Sequence, residues 1–120
     1  MPKPHEVYLH HINDEICFLQ SLPEFSDGPS LKRDDVKSRA VVRSLEIIGE
    51  AASKTDPDFR AQHEEIPWRR IIALRNRLIH DYMGINFNIV VNVLRNEIPQ
   101  LANQLEDLLR GDNSVENGNE

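Results

Sequence analysis

The chain predicts an all-α bundle, and three observations carry that prediction. Apolar residues recur at helical spacing along almost the whole length, no sustained period-2 alternation is present, and cap and stop signals punctuate the pattern at intervals that suit helices. The sole Asn-Gly pair, Asn117-Gly118, lies in a polar tail and not between apolar runs. At 120 residues the chain has the size of one domain.

The elements follow in order. Tyr8, Ile12, Ile16 and Leu19 repeat at i+4 and i+3, with Val7, His11, Asp14 and Phe18 between them; they predict a helix over roughly residues 4–21, ended near Pro23. Phe25-Ser26-Asp27-Gly28-Pro29 has the composition of a loop. Ser30 is the expected N-cap of a second helix running to about Lys54, with Val36, Ala40, Val41, Leu45, Ile48, Ala51 and Ala52 as its apolar stripe. Thr55-Asp56-Pro57 reads as a cap with proline in the first turn of a short helix to about Glu64. The next helix is expected from about Pro67 to Met83, with Gly84 as its stop.

Asn86 then caps a last long helix through Ile89, Val90, Val93, Leu94, Ile98, Leu101, Leu105 and Leu108. Pro99 lies inside that helix and should kink or split it, because it lacks the N–H that bonds one turn back. The expectation is four main helices and one short one in a domain over residues 1–110, followed by a disordered acidic tail over 111–120.

Composition narrows the function classes. Thirty-nine per cent hydrophobic and 28% charged residues fit a globular chain. No apolar run approaches the roughly 20 residues that a membrane-spanning helix needs. Met1-Pro2-Lys3-Pro4-His5-Glu6 has no apolar stretch or small-residue cleavage site of an export signal. A single cysteine, Cys17, allows no internal disulfide, so a reducing, cytoplasmic setting is expected. The net charge of −6 disfavours non-specific coating of nucleic acid but leaves room for a local basic site.

One constellation stands out. On a wheel of about 100° per residue, Trp68, Ile71, Ile72, Leu74, Leu78, Ile79 and Tyr82 fall within roughly 100° either side of Arg75. Arg75 thus takes the centre of the apolar arc, where leucine is expected, while Arg69, Arg70, Asn76, Arg77, His80 and Asp81 fill the polar arc. An arginine so placed is costly unless it is paired or faces a lined cleft. His80 lies about 140° around from it, so the two meet only if the arginine curls round, the helix loosens before Gly84, or two copies of the helix face each other. A fixed guanidinium and a titrating imidazole suit phosphodiester chemistry, and in RNA the 2′-OH can itself be the nucleophile.

Plainer readings stand beside this one. Arg75 can simply pair with Glu46 or Glu50 of the second helix, Arg69, Arg70 and Arg77 can be a solvated face, and Tyr82 can be an edge-of-core residue. His5, His10, His11 and Glu6 are weak metal candidates, because adjacent His10 and His11 diverge on a helix. Cys17 reads as a small core residue and Trp68 as a packing anchor. No glycine-rich phosphate loop, zinc spacing or serine triad occurs.

Arg75-Asn76-Arg77-Leu78-Ile79-His80-Asp81-Tyr82 resembles the Arg-x4-His-x-Tyr motif of the HepT-like branch of the HEPN superfamily. The likeness extends to Arg39–Ala51, with its Gly49-Glu50-Ala51, and to Ile66-Pro67-Trp68-Arg69, and covers roughly residues 5–110. It implies a homodimeric, metal-independent endoribonuclease without a cofactor, the toxin of a toxin–antitoxin pair whose antitoxin is an MntA-like nucleotidyltransferase. Under that resemblance Arg75 polarises the scissile phosphate, His80 is the general acid/base and Asn76 orients the site. Tyr82 would be the tyrosine that the antitoxin modifies with AMP. Arg77 is added as an RNA contact. The competing reading is a non-catalytic HEPN module that binds a nucleotide or a protein. A purely structural bundle, with Arg75 in an ion pair at its dimer interface, is a third.

Overall fold

The computed structural model describes residues 4–118, with the side chains of residues 5–111. Among these residues every regular element is a helix. Helix α1 (Pro4–Ser21) buries Leu9, Ile12, Ile16 and Leu19, a run at i+3 and i+4 that makes one stripe. It packs on α3 (Asp35–Lys54), whose Val41, Leu45, Ile48 and Ala52 face the same core. On the other side of α3 lies α5 (Trp68–His80). Short helices α2 (Gly28–Arg33) and α4 (Pro57–Gln62) fill the connections. Helices α6 (Phe87–Asn92) and α7 (Ile98–Gly118) are joined without a break by a π-helical turn over Val93–Glu97. Four long helices therefore make the bundle, as expected.

The helix ends show where side-chain oxygens win over propensity. The helix expected from Ser30 to Lys54 is two helices. Asp27, not Ser30, caps the first, its carboxylate accepting from the Ser30 N–H at 2.9 Å. At Asp34 the backbone leaves the helix (φ −91, ψ 94), and its side chain accepts from the Lys37 N–H at 2.9 Å to start α3. An aspartate that bonds nearby backbone trades helix interior for cap, which is why the break falls there. Val36, read as part of the apolar stripe, sits in the first turn after this break and is 79% exposed. Asp56 with Pro57 starts α4, and Asn86 caps α6 by accepting from the N–H groups of Asn88 and Ile89, both as expected.

Pro99 does not split the last helix; the π turn takes it up within one continuous run. The Ile98 N–H bonds five residues back to the Val93 carbonyl, so the wider turn accommodates the donor that Pro99 lacks. Ile98, Leu101, Leu105 and Leu108 then stay in register with the core. Arg95, on the outside of that turn, donates to the carbonyls of Phe25 (2.7 Å) and Ser26 (3.3 Å) and ties down the α1–α2 connection. The backbone of α7 runs to Gly118, and the side chains of the expected tail from residue 112 on lie outside the described residues.

Cys17 is exposed, a correction to its reading as a core residue. The adjacent Ile16 takes the buried position, and one residue along a helix turns a side chain by about 100°. Trp68 is buried as an anchor; its indole N–H donates to the His63 carbonyl at 2.9 Å, and its ring meets Phe59 edge-on.

Candidate functional site

Helix α5 lies close against α3 because α3 offers a glycine at the crossing. A Cβ built on Gly49 would overlap the Cβ of Arg75 and come within 3.1 Å of the Ile71 carbonyl. Arg75 therefore starts from a position that would otherwise be packed core, and its side chain is only 17% exposed. Its donors run along α3. Nη1 donates to Glu50 Oε2 at 2.7 Å and to Ser53 Oγ at 3.3 Å, and Nε donates to Asn76 Oδ1 at 2.9 Å. The pairing partner is Glu50 and not Glu46, which takes Arg43 at 3.4 Å.

Glu50 holds two cations, one on each oxygen: Arg75 on Oε2 and Lys54 on Oε1 at 3.5 Å. Its carboxyl is held below the ordinary glutamate value, chiefly by the Arg75 hydrogen bond, while partial loss of water pulls the other way. Tyr8, His11, Ile47 and Ile79 border the shallow depression over this cluster, about 380 Å³ in volume.

His80 closes α5 and is exposed; its imidazole makes no hydrogen bond or ion pair with any described residue. Arg75 and His80 are thus not in contact within one chain. Five residues of helix separate them by about 7.5 Å along the axis and 140° around it. The helix stops at His80 and not at Met83. Asp81 (φ −94, ψ 23) ends it, and the Gly84 N–H bonds back to the Asp81 carbonyl at 2.7 Å. Gly84 needs no positive φ there, so it is not the left-handed stop that its position suggested.

Tyr82 and Met83 project from that turn, 75% and 87% exposed, beside Ile79 at 53%. The first half of the α5 apolar arc is covered, with Trp68 buried and Ile71 and Ile72 half-buried, while Ile79 and Tyr82 at its far end are uncovered. Tyr82 is accordingly a surface residue and not the edge of a core. Arg77 points to the other side of α5, pairs with Asp81 Oδ2 at 3.6 Å, and lines an apolar groove of about 310 Å³ between α5 and the last helix. The Arg70–Glu97 pair at 2.7 Å lies along the same groove. The structure brings Arg75 and Asn76 together, and leaves His80, Tyr82 and Arg77 apart from them.

His5 stacks on Phe59, with ring centroids 4.1 Å apart, while His10 and His11 are exposed. Among the described residues no three His, Cys, Asp or Glu side chains gather as a metal-holding group. Nor does any helix among them have the length and apolarity to cross a membrane. Glu50, Ser53 and Gly49 are the site residues that the arginine pattern does not announce. Glu50 appears in the sequence only as one of two pairing options, and the signal that would have chosen it is the small residue before it, which sets the crossing point.

A helical bundle that carries Arg-x4-His-x-Tyr across the end of a helix packed on Gly-Glu-Ala is a HEPN-type domain. The chain belongs to the HepT-like ribonuclease family, matching the family described as "Ribonuclease HepT-like" over residues 12–108. Among curated relatives, it is 39% identical over 109 residues to a "Putative RNase" of Caldanaerobacter subterraneus subsp. tengcongensis, covering 91% of this chain and 95% of that one. It is 33% identical over 108 residues to "Probable ribonuclease HepT" of Thermococcus cleftensis, covering 90% and 98%. No solved structure gives a significant match.

Proposed function

We propose that this chain is the toxin of a HepT/MntA-type toxin–antitoxin pair: a cytoplasmic, metal-independent endoribonuclease that acts as a homodimer. The observation that carries this reading is a half-buried Arg75, held by three hydrogen bonds, on the same helix as an exposed His80 whose imidazole no described residue binds, in a family of ribonucleases. One chain keeps the two apart. A second copy of α5 facing the first would supply His80 to the other chain's Arg75, and uncovered Ile79, Tyr82 and Met83 offer apolar surface for that meeting.

In such a site Arg75 would bind a non-bridging oxygen of the scissile phosphate and stabilise its growing charge. One imidazole accepts the 2′-OH proton as the O2′–P bond forms. The P–O5′ bond breaks, and the departing 5′ oxygen takes a proton from an imidazolium. The products are a 2′,3′-cyclic phosphate and a 5′-OH, and no metal is needed for the proton and charge movements. Asn76, bonded to Arg75 Nε, would orient the guanidinium. Arg77 would contribute to RNA backbone affinity outside the reacting centre.

Tyr82 is open to the nucleotidyltransferase partner. Its Oη would attack the α-phosphorus of ATP, releasing pyrophosphate and losing the phenolic proton to solvent. The resulting AMP group would place negative charge on the arc that holds Arg75 and oppose RNA. Arg75→Ala and His80→Ala should each abolish growth arrest and RNA cleavage, with His80→Ala losing about 10²- to 10⁴-fold in kcat. A folded variant that stays fully toxic would remove that residue from the mechanism. Binding of RNA by the unmodified parent with no cleavage would instead favour the non-catalytic nucleotide-binding reading.

A further inference from the structure

The ion pair that holds Arg75 also occupies the donors that a phosphate would use. Of its five N–H groups, Nε–H goes to Asn76 and both Nη1 hydrogens go to Glu50 and Ser53. No described group bonds Nη2, so Nη2 alone keeps its two hydrogens, one on the Nε side of the guanidinium and one on the Nη1 side. The paired, parallel grip that arginine usually offers a phosphate needs two nitrogens, and on the Nη1 side Glu50 already holds that place at 2.7 Å.

We propose that Glu50 is a positioning residue of this site, a carboxylate that stands where a second phosphate contact would fall, fixes the Arg75 guanidinium with its Nη2 edge outward, and limits how tightly the site holds RNA before reaction. This rests on the ribonuclease reading above. A carboxylate beside the phosphate site weakens binding of substrate and of product alike. A guanidinium that is already oriented needs no rearrangement as charge builds on the phosphoryl oxygens. Lys54, on the other oxygen of Glu50, keeps the cluster at one net positive charge, and Ser53 secures Nη1 from the same helix.

The role separates from a merely structural ion pair, because removing the charge and removing the anchor have different effects. Glu50→Gln keeps an oxygen for Nη1 and loses the charge, whereas Glu50→Ala loses both. The experiment uses the full chain free of AMP. It measures binding of a mixed-sequence, fully 2′-O-methylated single-stranded RNA pool, which cannot react, at several salt concentrations, and cleavage kinetics on the unmethylated pool. Glu50→Gln should bind the methylated pool about three- to tenfold tighter than the parent, with a log–log salt slope steeper by about 0.7, and should show a lower KM. Glu50→Ala should lose about tenfold in kcat, most of it recovered by Glu50→Gln.

Equal affinities and equal salt slopes in parent and Glu50→Gln would overturn the proposal, as would an equal kcat loss in both variants. Should Glu50→Ala fail to fold by circular dichroism, the near-isosteric Glu50→Gln decides alone through affinity, slope and KM. A parent that binds the methylated pool but cleaves nothing would sink the ribonuclease reading, while the binding comparison would still judge Glu50.

Discussion

Arg75 occupies a core position because three neighbours make it affordable: Gly49 gives the backbone clearance, Glu50 gives the counter-charge, and Ser53 and Asn76 accept the remaining inward donors. Gly49→Ala should therefore do more than fill space. Overpacking at the crossing costs about 1–3 kcal/mol, against a helix-propensity gain of about 1 kcal/mol, and it pushes Arg75 off its partners. Thermal melts should show a net loss of stability, and RNA cleavage should fall further than stability alone explains. The ion pair also has a pH signature. Glu50 is held below its ordinary value by Arg75, so its stabilising contribution is complete at neutral pH, above the unfolded value, and is lost as pH falls through the lower, folded value. The stability difference between parent and Glu50→Gln should be flat at neutral pH and shrink only in acid; a difference that grows on acidification would contradict the pairing. The sequence showed the anomaly at Arg75, since a charge in an apolar arc breaks a local pattern. Spacing alone does not choose between Glu46 and Glu50, because that choice depends on where α5 crosses α3, and the one local mark of the crossing is Gly49 beside Glu50.

At the scale of elements, the legible features were those fixed by local chemistry. Asp56-Pro57 and Asn86 start helices where capping oxygen and backbone geometry coincide, and Asn86→Ala should cost about 1 kcal/mol in a denaturant titration. A loss near zero would mean that the Asn88 and Ile89 N–H groups find other partners. The α7 stripe was legible through Pro99 because the core residues keep their spacing on both sides of it. Asp34 was not, since an aspartate among good helix formers is read as interior until its carboxylate is seen to accept from Lys37. The end of α5 was also misplaced by three residues. Periodicity runs on through Tyr82, yet Ile79 and Tyr82 are mostly exposed, so little burial holds the last turn, and the chain leaves the helix at Asp81. That early end matters, because it puts Tyr82 and Met83 on a short exposed turn beside His80.

For the whole molecule, the covered arc of α5 passes into an uncovered one within a single helix, and Arg75 and His80 fall on either side of that line. Arg75 is set against α3 within the chain, while His80 is exposed near Ile79, Tyr82 and Met83. A dimer across this face would complete the site, so dimerisation and activity should fail together. Ile79→Glu, which places a charge at a position already 53% exposed in the single chain, should leave helix content intact by circular dichroism. By sedimentation it should shift the protein to monomer and remove cleavage. A fully active monomer would place the whole site within one chain. The most direct measurement is cleavage of single-stranded RNA in excess EDTA by the unmodified protein, beside a folded His80→Ala variant, with the product ends identified. Cleavage by the parent alone, leaving 2′,3′-cyclic phosphate and 5′-OH ends, is the expected result. Equal cleavage by both proteins, or none by a parent shown by mass to lack AMP, would contradict it.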